Sequence, residues 1–336
     1  MGEVGSSQKG YELFRLKDNG MVSEDTVELL RYVLGNPKDA LYDLLVFLRE
    51  RHDIDRNAEK RMLRNLVLCL QESEAHKYRE EIDFLRSCDQ DFLASSVFPY
   101  RIVRDFSSTD CGYDDKLKLP YVIHKGDRLY FSREENVRHA LKMYLNFINV
   151  EGLLGGGCLA KSPHAYVTDN FCVEQGDVLV DVGCSEALFT LDNIEKVEQA
   201  YVFEAMKRWA APLRATFSPF REKVKIVNKF VGERTDGRAV RLSDVLPDEP
   251  EKSYFIKMDI EGGEYDVLKS SEDFLAKHKI KLVCCLYHRQ DDENRIVGLL
   301  RRIGFDVQMS DGYMLPTLGG VAYPYFRRGV AYARNC

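Results

Sequence analysis

Short apolar runs recur through the second half of the chain, and the earlier ones are separated by stretches whose apolar positions return at helical spacing. The runs are Val178–Val182, Ala200–Glu204, Val224–Val227, Tyr254–Asp259, Lys281–Tyr287, Asp306–Met309 and Arg328–Tyr332. Runs this short, alternating with helices, predict a parallel sheet with helices on both faces. No long helical stretch separates the last two runs, so they are expected to form an antiparallel hairpin at one edge. The fold class is α/β, a mostly parallel sheet with an antiparallel edge.

The first 95 residues follow a different pattern. Ser23 precedes Val27, Leu30, Val33 and Leu34, which fit one helix, and Gly35-Asn36 should end it, with Pro37 opening the next. That next helix carries Leu41, Leu44, Leu45 and Leu48 on one face. A third runs through Met62, Leu66, Cys69 and Leu70, and a fourth holds Ile82 and Leu85. Residues 1–95 therefore read as a helical domain suited to scaffolding or to homo-oligomer contacts. Residues 96–160 read as a connecting region. In it, two short strands flank Lys125-Gly126-Asp127 as a hairpin, and a helix runs through Val137, Leu141, Tyr144 and Leu145. Gly155–Gly157 should be an exposed loop at the entrance to a third domain, residues 161–336.

Composition narrows the class of partner. The net charge is −6, with no strongly basic character of the kind that nucleic-acid binding usually requires, so nucleic acid is not an expected partner. No run reaches 18 apolar residues and the first 14 lack a secretory signal's apolar stretch, so neither membrane insertion nor secretion is expected. Nine scattered cysteines without CxxC spacing read as reduced thiols rather than a zinc site or disulfide framework. Together these features suggest a cytoplasmic protein.

Four motifs carry candidate chemistry. In VLVDVGCSEALFTL, from Val178, a strand ends in Asp181, turns at Gly183 and enters a helix. Ligands of such sheets bind beyond the strands' carboxyl ends, so Asp181 and the turn amides are candidates to hold a ligand's polar tail. The second and third glycines of a dinucleotide fingerprint are missing, and Glu186 puts negative charge where phosphates would lie. That favours a cationic, phosphate-free nucleoside such as S-adenosylmethionine over NAD. Glu204 follows Asp181 by 23 residues, at the end of the next strand, where an acid is placed to accept both ribose hydroxyls.

The third motif is FIKMDIEGGEYDVL, from Phe255. Lys257 and Asp259 are two apart and face one side of their strand, and Asp259 ends it beside the place expected for a transferable methyl group. Glu261 and Glu264 follow around Gly262-Gly263, although an acid in a first helical turn is also what the helix dipole favours. In the fourth, LVCCLYHRQDDE, His288 lies just past a strand, again at the ligand edge, and Asp291 and Asp292 read as solvated loop charges.

From about Ser162 to Met314 the sequence resembles the FkbM-type methyltransferase family. The resemblance is carried by SPHAY at Ser162, DVGCSEALFTL at Asp181, FEAMKRW at Phe203, FIKMDIEGGEYDVL at Phe255 and CLYHRQDD at Cys285. It implies a class I Rossmann-like fold and methyl transfer from S-adenosylmethionine to a hydroxyl, usually on a sugar in a surface glycan or glycosylated metabolite. It also adds His164 and Tyr166 of SPHAY to Lys257, Glu261 and Glu264 as residues near cofactor or acceptor. Two positions depart from the family pattern: Ala187, where glycine is common, and Ser243, where the family often has aspartate.

A sugar hydroxyl is protonated at neutral pH, so a base is expected. His288 is the first candidate, because neutral imidazole exists near pH 7, and Asp259 is the second. In a variant, Asp259, Glu261 or Glu264, and His288 share a divalent cation, a reading less favoured than the metal-free one. A competing class is a scaffold module that binds S-adenosylmethionine without catalysis.

Overall fold

The computed structural model describes residues 76–87, 109–153, 163–315 and 326–336. The chain divides into two compact units, Met1–Pro99 with Leu315–Phe326, and Tyr100–Met314 with Arg327–Cys336. The first three helices expected at the N-terminus and the glycine run Gly155–Gly157 lie outside the described residues. In the first unit, helix α1 (Arg79–Ser87) buries Ile82 and Leu85, the two apolar residues read as its inner face. Tyr78 packs its ring against Phe326 at 4.7 Å.

The second unit begins with a small antiparallel sheet, β1 (Cys111–Asp114), β2 (Leu119–His124) and β3 (Asp127–Tyr130). Strands β2 and β3 are the expected hairpin. Lys125 and Gly126 both have positive φ, the two-residue turn whose twist matches the strands it joins. Helix α2 (Val137–Val150) follows, its first turn capped by Asn136, which accepts from the His139 N–H at 2.8 Å. Val122, Leu129, Tyr144 and Leu145 from these elements share one apolar core with the large sheet, so residues 109–153 pack as part of the same unit.

That sheet is built from β4 (Val178–Val182), helix α3 (Leu188–Asn193), β5 (Gln199–Phe203), helix α4 (Ala210–Thr216) and β6 (Val224–Val227). A two-residue pair follows, β7 (Phe230–Val231) and β8 (Ala239–Val240), which the apolar pattern did not predict. The chain then adds β9 (Ser253–Met258), helices α5 (Glu264–Ser270) and α6 (Glu272–Lys277), β10 (Lys279–Cys285), helix α7 (Asp292–Arg302), β11 (Asp306–Met309) and β12 (Val330–Arg334). The order across the sheet is β11-β12-β10-β9-β4-β5-β6. All neighbours are parallel except β12, which runs antiparallel between β10 and β11. This is the mostly parallel, Rossmann-like sheet that the apolar runs predicted, including the antiparallel edge.

Alternation along each strand feeds two cores. Val178, Val180 and Val182 join Tyr254, Ile256 and Met258 on one face, while Leu179 and Phe255 pack on the other. The chain runs outward from β4 to β6, then returns to β9 on the opposite side of β4. That reversal is the switch point where open α/β sheets leave a crevice beyond the strand ends.

Candidate active site at the switch point

Gly183 follows β4 with φ +79°, and a Cβ added there would lie 1.8 Å from the Asp259 carbonyl oxygen. The glycine thus lets the β4 turn press against the loop after β9; its close contact is with the protein's own backbone. Ser185 and Ala187 also take positive φ, so Ala187 occupies a conformation that favours glycine. Glu204, just past β5, ties this turn down. It accepts the Ser185 N–H at 3.0 Å and the Met206 N–H at 2.6 Å.

Asp181 and Lys257 lie opposite each other in register on β4 and β9. The Lys257 ammonium is 3.1 Å from Asp181 and donates to the Gly183 carbonyl at 2.8 Å, and Thr190 donates to the other Asp181 oxygen at 2.8 Å. Burial alone would favour neutral lysine, but Asp181, Asp259 and Glu151 outweigh it and hold Lys257 charged. The Asp181 carboxylate is fully enclosed. Both of its oxygens face the protein's own groups, Lys257 and Thr190 of α3.

Asp259 gathers four residues around one carboxylate. Tyr166 donates to Oδ2 at 2.7 Å, and His164 lies 3.5 Å from the same oxygen. Tyr287 reaches Oδ1 at 3.5 Å and His288 Nε2 lies 3.3 Å from it. Burial opposes its charge, but the His164 hydrogen bond and the neighbouring cations hold Asp259 well below the usual carboxylate range. On the far side of the His288 ring, Nδ1 lies 2.8 Å from Glu264 Oε1. Glu264 is itself fully buried and accepts the Ile260 N–H at 2.8 Å. Glu261 is exposed at the rim, 3.6 Å from His288 Nε2. Burial would lower the histidine pKa, but Glu264, Asp259 and Glu261 push it up to about 9. The neutral imidazole expected near pH 7 is therefore the minor form.

A family model described as the methyltransferase FkbM domain matches residues 181–307. The match covers 127 of the 336 residues. The span contains the β4 turn, Glu204, Lys257, Asp259, Glu264 and His288.

Among solved structures, the chain is similar to methyltransferase FkbM from Methylobacillus flagellatus KT, with 21% identity and a TM-score of 0.40 over 50% of this chain and 45% of that one. It is also similar to precorrin-6y C5,15-methyltransferase from Geobacter metallireducens GS-15, with 17% identity and a TM-score of 0.32 over 48% of this chain and 80% of that one. A third is SMU.1697c from Streptococcus mutans, solved in complex with SAH, with 10% identity and a TM-score of 0.33 over 48% and 90%. The chain thus spans under half the length of the FkbM methyltransferase it matches. No curated protein matches the sequence.

Several residues of the site escaped the motif reading. Tyr287 directly precedes His288, but nothing in an apolar run marks a tyrosine as facing Asp259. Arg327 is distant in sequence, and its guanidinium donates to the carbonyls of Tyr287 and His288 at 2.8 and 3.1 Å. Asp292, read as a solvated loop charge, is buried and accepts the Arg289 N–H at 2.7 Å where α7 begins. Ser243 is exposed on a short turn. Among the described residues the cysteines are unpaired, and no helix is long and apolar enough to cross a membrane.

Proposed function

We propose that the FkbM domain transfers the methyl group of S-adenosylmethionine to a hydroxyl of a sugar-bearing acceptor. The observation that carries this reading is the chain Asp259–His288–Glu264 at the carboxyl ends of β9 and β10, beside the turn held by Glu204. The adenosine would lie over the β4 turn. Glu204 accepts two backbone N–H groups, and a carboxylate with about four acceptor positions retains capacity for the ribose hydroxyls. The site's carboxylates suit a cationic cofactor.

The reaction is in-line displacement. The acceptor oxygen attacks the sulfonium methyl, the carbon–sulfur bond breaks, the hydroxyl proton passes to a base, and S-adenosylhomocysteine leaves. Positioning supplies much of the rate, up to about 7–11 kcal/mol. Glu264 holds the Nδ1 side of His288 and turns Nε2 toward Asp259. Deprotonated His288 is then the base, and Asp259 accepts a hydrogen bond that orients the acceptor. A pKa of about 9 makes the imidazole scarce at neutral pH but a stronger base when formed.

A divalent cation is the second reading. One ligand atom each from Asp259, Glu264 and His288 falls within 4.8 Å of the others, and such an ion would acidify the hydroxyl directly. Calorimetry with S-adenosylhomocysteine and methyl transfer to glycoside acceptors, with and without chelator, test these readings together. A folded protein that does not bind S-adenosylhomocysteine overturns the cofactor assignment. Binding without methyl transfer to hydroxyl acceptors favours the scaffold reading. Activity abolished by chelator and restored by magnesium or manganese selects the metal.

A further inference from the structure

Two buried acids beside the β4 turn have no place in the chemistry above. Glu151 caps the C-terminal end of α2, where the helix dipole disfavours an anion. It is 8% exposed, and its Oε2 is buried without a hydrogen-bond partner. Glu186 lies on the turn between Gly183 and α3, 3% exposed, and its Oε2 is likewise buried and unpartnered. The two carboxyls feel each other's charge. Leu153, just beyond α2, belongs to the same apolar core as Cys184 and Ala187 of this turn. A buried carboxylate oxygen without a partner is costly unless the group is protonated or meets a cation.

The nearest candidate cation, Lys257, is already engaged by Asp181 and the Gly183 carbonyl. Asp181, the acid that would otherwise greet a ligand's ammonium group, is enclosed by Lys257 and Thr190. We propose that Glu151 and Glu186 form the receptor for the α-ammonium group of the cofactor's amino-acid tail. This rests on the S-adenosylmethionine reading and names residues for a part of the ligand that Asp181 cannot reach. Burial raises Glu186 to about 7 and Glu151 well above its usual range. Glu186 is therefore about half-protonated near pH 7, and an arriving ammonium replaces that proton, which leaves to solvent.

The test compares S-adenosylhomocysteine, which carries the ammonium, with 5′-methylthioadenosine, which lacks the amino-acid tail. Calorimetry is run on the full chain and on Glu151→Gln and Glu186→Gln. Each variant should bind S-adenosylhomocysteine at least tenfold more weakly and 5′-methylthioadenosine within about twofold of wild type. The second ligand thereby reports that the nucleoside site is still folded. Wild type should also release protons on binding S-adenosylhomocysteine near pH 7, seen as a dependence of the heat on buffer ionisation, and both variants should release fewer. Unchanged S-adenosylhomocysteine affinity in both variants, or equal losses for the two ligands, overturns the acidic receptor alone. Wild type that binds neither ligand overturns the cofactor reading beneath it.

Discussion

Glu264 and His288 meet at 2.8 Å, the carboxylate fully buried and the imidazole nearly so, with Asp259 on the opposite side of the ring. The contact fixes which nitrogen faces the crevice. It also sets the proton affinity of the ring, because a buried carboxylate stabilises the imidazolium. Glu264→Gln should keep the shape and remove the charge. The ascending limb of the pH–kcat/KM profile, expected near 9, should move toward 6.5. A limb that stays in place would show that Glu264 does not tune the base.

His288→Ala should lower kcat by about 10²-fold or more while leaving S-adenosylmethionine affinity within a few-fold, because the loss falls on the transition state. Near-wild-type turnover would return the role to Asp259.

His288 also links stability to pH. Its folded pKa of about 9 lies above the ordinary 6.5, so the folded protein binds its proton more tightly than the unfolded chain does. The contribution is complete below about pH 6.5 and is lost as pH rises toward 9, at up to about 1.4 kcal/mol per pH unit. Urea midpoints across pH 6–10 should show this decline in wild type and a flatter curve in His288→Asn. Parallel curves would mean that the histidine is not held in the charged form.

Lys257→Met should destabilise the protein by about 3–5 kcal/mol, because it strands Asp181 in a fully buried position. Adding Asp181→Asn should recover part of the loss, since the stranded charge is then gone. Chemical denaturation of both variants measures the difference, and a double variant no more stable than the single one would argue against the pair.

Gly183→Ala should be among the most damaging single changes. The added Cβ meets the Asp259 carbonyl oxygen at 1.8 Å from a backbone at φ +79°, so the β4 turn or the β9 loop must move. The expected loss is about 2 kcal/mol or more, with weaker S-adenosylhomocysteine binding. A fully stable variant with native affinity would contradict the close approach.

The apolar runs alone determined the strands. Val178–Val182, Val224–Val227 and Asp306–Met309 begin and end where the pattern says; the first is buried throughout and therefore apolar almost throughout, and the other two are edge strands with partly exposed positions. The other four are offset by one or two residues, since polar residues such as Glu204, Asp259 and His288 cap strand ends without being paired in the sheet. The antiparallel edge was legible because no crossover helix separates the last two runs. The motif positions were legible too, since ligand chemistry collects beyond the carboxyl ends of strands. Sequence could not say which carboxylates would remain free. Asp181 and Glu186 read alike as acids near one turn, yet register places Lys257 opposite Asp181 and leaves one oxygen of Glu186 buried without a hydrogen-bond partner. Glu151 is 32 residues before Gly183 in the chain, and only the fold, in which α2 shares its apolar core with that turn, relates the two. The charge of His288 was likewise decided by folding, because its pKa depends on three carboxylates at the end of β9 and the start of α5 that the sheet sets beside the end of β10.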